Sequence, residues 1–163
     1  MFLPAELKEE TNNNDDKNNK KDKSSGGAIM IDFSCAGIGF GMSDIAMHIV
    51  HAVLPHDLEN GGEERLVEGY LLALEDAMYR KHGKKWTFSR NVAQRHYQLA
   101  CIDYLRFIMG RFWRSATPEA FEKKKNSRNT TLINRNVDSA MAFIEKVDRY
   151  LEVFEKEKQD SGR

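Results

Sequence analysis

Apolar residues along this chain follow two different spacings. AIMIDF, residues 28–33, is a run with two isoleucines and a phenylalanine bounded by Gly26-Gly27 and a glycine-rich segment, which predicts a short buried strand. Met1 to Leu3 can pair with it as a hairpin. After Gly41 the spacing becomes helical. Ser43 is the expected N-cap and Asp44 lies in the first turn, where a negative charge meets the positive end of the helix dipole. Ile45, Ala46, Ile49 and Val53 form the inner face, and Pro55 is the expected stop.

A second helix is predicted from about Glu63 to Lys81, with Val67, Tyr70, Leu71, Leu74, Ala77 and Met78 on one side, Gly61-Gly62 at its entry and Gly83 at its exit. A third runs from about Ser89 to Arg114 and buries Ala93, Tyr97, Ala100, Cys101, Tyr104, Phe107 and Ile108. Thr117-Pro118-Glu119 predicts an N-cap followed by proline at the first position of a short helix. The last helix, Thr131 to about Lys156, places Ile133, Val137, Ala140, Ile144, Val147, Leu151 and Phe154 at alternating spacings of four and three. That is a heptad seam of minimal length, so the helix either pairs with a partner or docks on its own domain. The fold class is therefore mainly α with a short β-hairpin.

Residues 11–27, TNNNDDKNNKKDKSSGG, carry no apolar side chain and can bury nothing against the entropy of ordering, so they are expected to be a disordered insertion. The expected organisation is a first hairpin strand region over residues 1–10, that insertion, a helical body over 28–157, and a disordered tail over 158–163. With 163 residues, one domain is expected. The 25 basic and 25 acidic residues cancel, which removes any overall field toward nucleic acid or a membrane surface. Cys35 and Cys101 are too few for a disulfide framework and read as reduced thiols of a cytoplasmic protein. A membrane span over Ala28 to Leu54 fails, because Asp32 and Asp44 would each cost roughly 2.5–3.5 kcal/mol in the bilayer centre.

The chemistry concentrates in IDFSCAGIGFGMSD, residues 31–44. A dinucleotide cradle requires a third glycine where Met42 stands, and the P-loop pattern places its glycine and lysine on Met42 and Ser43, so both phosphate-binding motifs are excluded. An aspartate at a strand end suits different work, since an ionised carboxylate held rigidly can ligate Mg²⁺ bridging nucleotide phosphates. The stretch IDFSCAGIGFGMSDIA resembles the segment found in aminoglycoside phosphotransferase-like and choline-kinase-like enzymes: Ile-Asp-aromatic, a glycine five residues after the aspartate, then Asp-hydrophobe-Ala. LVEGYLLAL resembles the helix that follows it in those enzymes. Their fold is protein-kinase-like, and they transfer the γ-phosphate of ATP to a hydroxyl of a small molecule. The resemblance implies that the chain is a partial C-terminal lobe of that fold, with Asp32 holding Mg²⁺ and ATP. It implies that Asp44 and Gly37 support the site, and that the partner is a small-molecule acceptor with a hydroxyl.

The family's catalytic loop, His-Gly-Asp followed five residues later by Asn, does not occur, and no preceding lobe supplies a lysine for the ATP phosphates. No catalytic residue is therefore assigned, and this chain alone is expected to be inactive. The contrasting reading is a non-catalytic helical module that self-associates through Ile144 and Leu151. His48, His51 and His56, with Pro55 between the last two, cannot share one helical face as metal ligands. From Arg80 to Arg114 nine basic residues face one acidic, a local net of +8, and Asp57 to Asp76 carries seven acidic residues and Arg65, a local net of −6. Two neighbouring helices of opposite sign would neutralise each other, so nucleic acid and membrane are not expected partners. Trp86 and Trp113 are expected in core or helix-end contacts, with an acceptor-stacking role as the other reading.

Overall fold

The structure, a computed structural model, describes residues 41–162. They form six α-helices and one 3-10 turn: α1 Gly41–Ala52, α2 Pro55–Leu58, α3 Gly62–His82, α4 Arg90–Arg111, α5 Pro118–Lys124, the turn Leu132–Asn134, and α6 Val137–Ser161. The chain is mainly helical, with no strand among the described residues. The hairpin expected from Met1–Leu3 and residues 28–33, and the insertion at 11–27, lie outside them.

The core is where α1, α4 and α6 meet. Ala46 and Ile49 of α1, Tyr97, Cys101 and Ile108 of α4, and Ala140, Phe143 and Val147 of α6 are buried together, with Ile133 of the 3-10 turn wedged at the end. Each fully buried aliphatic side chain stabilises the fold by about 1.5–3 kcal/mol. Trp113 seals the far end, packing on Phe121 and donating its indole N–H to Asn134 Oδ1 at 2.9 Å. The helix-end contact expected of Trp113 is thus present, whereas Trp86 is half exposed and meets Phe88 edge-on.

Local chemistry sets the helix ends. Ser89 accepts from the Val92 N–H, Thr117 accepts from the Ala120 N–H ahead of Pro118, and Gly83 ends α3 in the left-handed region at φ 65°, donating to Tyr79 O. Asn60 and Gly61 also have positive φ, 50° and 79°. Gly62 follows them with its Cα so close to Asp57 that a Cβ would lie 1.9 Å from that carbonyl oxygen. This turn aims the first residue after it, Glu63, at the interior.

Several expectations need correction. Ser43 lies inside α1, which already includes Gly41, and is not its cap. Pro55 follows the end of α1 as expected, and it also opens α2 at its first position, where a missing N–H costs nothing. The last helix begins at Val137 because Asn136 caps it, accepting from the Ser139 N–H at 2.8 Å; it runs on to Ser161, through most of the span expected as a tail. Its buried face is also rotated from the heptad: Ser139, Ala140, Phe143, Lys146 and Val147 are buried, while Val137 and Leu151 are 46% and 41% exposed. Ala77 of α3 and Phe107 of α4 are likewise exposed, because neither helix is covered on that side.

Two glycine substitutions test this packing. Gly62→Ala should destabilise by about 1–3 kcal/mol, since the intruding atom meets backbone. Gly69→Ala, whose Cβ meets nothing within 4 Å in the middle of α3, should stabilise by about 0.5–1 kcal/mol. Urea unfolding midpoints of both variants check this.

Candidate functional site

Three helices converge on one carboxylate. Glu63, in the first turn of α3, accepts at Oε1 from Tyr97 Oη of α4 and from Lys146 Nζ of α6, and at Oε2 from Tyr150 Oη of α6 at 3.2 Å. The Glu63 and Lys146 side chains are only 14% and 11% exposed. Desolvating two charges costs several kcal/mol per ion, which their attraction offsets only when the remaining lone pairs are satisfied. The two phenols supply that satisfaction. Burial and the adjacent Glu63 charge push the Tyr97 and Tyr150 phenols far above the ordinary tyrosine range, so both keep the protons they donate. Lys146 also lies 5.5 Å and 5.9 Å from the ring centroids of Phe143 and Tyr97.

Glu63 and Lys146 of this cluster line a cleft of about 300 Å³ bounded by the end of α1, α2, the start of α3 and α6. Val50, Val53, Leu58 and Phe143 give it apolar walls, and Ser139, Lys146, Arg149, Glu59 and Glu145 give it polar ones. Neither Glu63 nor Lys146 was singled out from sequence. The available signal was Lys146 itself, which falls between Phe143 and Val147 on an otherwise apolar face.

Of the residues expected to carry phosphoryl transfer, Asp32 and Gly37 lie outside the described residues. Asp44 is in the first turn of α1, exposed, and no described residue bonds its carboxylate. Among the described residues no three His, Cys, Asp or Glu side chains gather as a metal site. The three histidines separate. His51 of α1 shares a hydrogen bond between its Nε2 and the Tyr104 hydroxyl and meets that ring edge-on, and His56 pairs with Asp57 at 3.4 Å. Burial, and then the neighbouring His48, hold the His51 imidazole below its ordinary range, which favours its neutral form; burial raises the Tyr104 phenol to about 12.

The opposite charges of α3 and α4 do meet. Arg90 forks onto Glu68, with Nη2 to Oε1 at 2.7 Å, and onto Glu75, and also donates to Phe88 O. The Arg90 guanidinium, then the Phe88 N–H, hold the Glu75 carboxyl below its usual range. Arg80, Arg95 and Arg106 pair with Asp76, Glu157 and Asp103, so four of the nine basic residues in the +8 stretch have carboxylate partners. No helix among the described residues is long and apolar enough to cross a membrane.

Comparison with protein-family models, with curated proteins and with solved structures finds no match to this chain.

The buried hydroxyls and thiol dictate the pH response. Burial raises the Cys101 thiol to about 11 from 9.0, alongside the raised phenols. A group whose folded pKa is raised contributes stability below its unfolded pKa and loses it as pH rises toward the folded value. Stability should therefore fall from about pH 9 upward. His51, lowered from 6.5, acts in the opposite sense, and its contribution should fade below about pH 6.5. Urea midpoints between pH 5 and 11 should trace a plateau with both shoulders, and an alkaline limb that stays flat would contradict the buried placement of these groups.

Proposed function

We propose that this chain is the distal part of the larger lobe of an ATP-dependent phosphotransferase of the aminoglycoside phosphotransferase and choline-kinase-like type, acting on a small-molecule hydroxyl. The observation that carries the reading is the segment IDFSCAGIGFGMSD, in which Asp32, Gly37 and Asp44 stand in the order and spacing of that family. In this reading Asp32 holds the Mg²⁺ that bridges the ATP phosphates and neutralises developing charge. Asp44 and Gly37 support that site.

The described residues are compatible with the supporting role. Asp44 leaves α1 from its first turn, unpartnered among the described residues, and α1 is fixed on α4 through Ala46 and Ile49. A carboxylate mounted on an immobilised helix can hold a neighbouring loop at little entropic cost.

A second reading, a non-catalytic helical interaction module, is favoured by one observation. No residue of α6 after Val147 is buried, and Leu151 and Val153 stand exposed there. Ile144, by contrast, packs against the core, so charges at Leu151 and Val153 are the cleaner probe of self-association.

Catalysis by positioning and electrostatics cannot be assembled from one carboxylate. The isolated 163-residue chain should show no Mg²⁺-dependent ATP turnover in a coupled assay, and turnover abolished by Asp32→Ala would contradict this. Mapping the transcript upstream of the Met1 codon should reveal an in-frame His-x-Asp followed by Asn. Unrelated or untranslated sequence there, together with a dimer disrupted by Leu151→Glu and Val153→Glu, would replace the enzyme reading with the module.

A further inference from the structure

The cleft beside the Glu63–Lys146 pair has the chemistry of a binding site that the phosphotransferase reading does not use. Ser139, Lys146 and Arg149 fall on one strip of α6, seven and three residues apart, so three donors line the same wall. Ser139 is 7% exposed, and its hydroxyl has no hydrogen-bond partner among the described residues. A buried hydroxyl left unpaired forfeits its hydration without compensation, a deficit that a ligand oxygen would remove. Lys146 carries three N–H groups, and Glu63 is its one oxygen acceptor among the described residues.

The rim adds opposite charges that are not paired with one another. Glu59 and Glu145 on one side of the balance, and Arg149 on the other, all line the cleft and are exposed, yet no described residue forms an ion pair with any of them. Between rim and floor lie Val50, Leu58 and Phe143. A volume of about 300 Å³ accommodates on the order of ten water-sized groups. A purely anionic ligand would meet the two rim carboxylates, and a purely cationic one would meet Arg149 and Lys146.

We propose that this cleft binds a small zwitterion, a compound with one carboxylate and one ammonium on a compact apolar body. The carboxylate is received by Arg149 and the free N–H groups of Lys146, the ammonium by Glu145 and Glu59, and the apolar body by Phe143 and its neighbours. Ser139 completes the polar contacts. The site is built only from residues 50–149 and stands or falls separately from the role of Asp32.

The test is titration of the full chain with L-leucine, L-methionine and L-phenylalanine, read by amide chemical shifts of α6. At least one should saturate in the millimolar range or below. Its deaminated and decarboxylated counterparts, isocaproate and isoamylamine for leucine, should each bind about tenfold more weakly or worse. Arg149→Gln should weaken the amino acid and the acid but leave the amine unaffected, and Glu145→Gln should do the reverse. Both residues are exposed, so an unchanged melting temperature verifies that the fold is intact. Failure of all three amino acids to saturate, equal binding of a one-charge counterpart, or unaltered binding in Arg149→Gln would overturn the proposal.

Discussion

A carboxylate enclosed by an ammonium and two phenols joins three helices that otherwise share only a thin apolar core. Glu63 reaches inward because Gly61 and Gly62 allow the chain to enter α3 through a left-handed turn pressed against Asp57. Lys146 comes from α6, and Tyr97 and Tyr150 come from α4 and α6. Each group answers a demand made by another: the lysine neutralises the glutamate, and the phenols satisfy its remaining lone pairs. Such a cluster confers directionality that Leu and Val packing lacks. It fixes the rotation of α6 so that Ser139, Lys146 and Arg149 face the cleft.

That rotation explains where the sequence pattern misled. A heptad through Val137, Ala140, Ile144, Val147 and Leu151 is present in the spacing, but the helix turns toward Phe143 and Lys146 because the buried ammonium must meet Glu63. Side-chain hydrophobicity alone cannot register a lysine as a core residue. Helix ends were more legible, since Gly83, Ser89 and Thr117-Pro118 act through local geometry that needs no tertiary partner. Pro55 shows the limit of such signals, because the same ring that ends α1 begins α2. Ala77 and Phe107 show another: periodicity identifies a stripe without saying how far a neighbour covers it.

The candidate chemistry divides in the same way. Asp44 is placed by local helix-start chemistry in the first turn of α1, whereas Asp32 and Gly37, expected from the motif, lie outside the described residues. The cleft was not legible, because its polar groups come from positions 59, 63, 139, 145, 146 and 149, which only the fold brings to one place. Val50 carries the other end of α1 to that cleft, about 9 Å along the helix axis from Asp44 at 1.5 Å per residue. One helix therefore serves both proposed sites, and its burial against α4 is the shared requirement.

The most direct test of the central cluster is a double-mutant cycle on Glu63→Gln and Lys146→Met, with stability measured by urea unfolding. Each single substitution leaves one buried charge uncompensated and should cost about 3–5 kcal/mol, whereas the double should cost clearly less than the sum. Single costs below about 0.5 kcal/mol that simply add would mean that the pair is incidental to the fold.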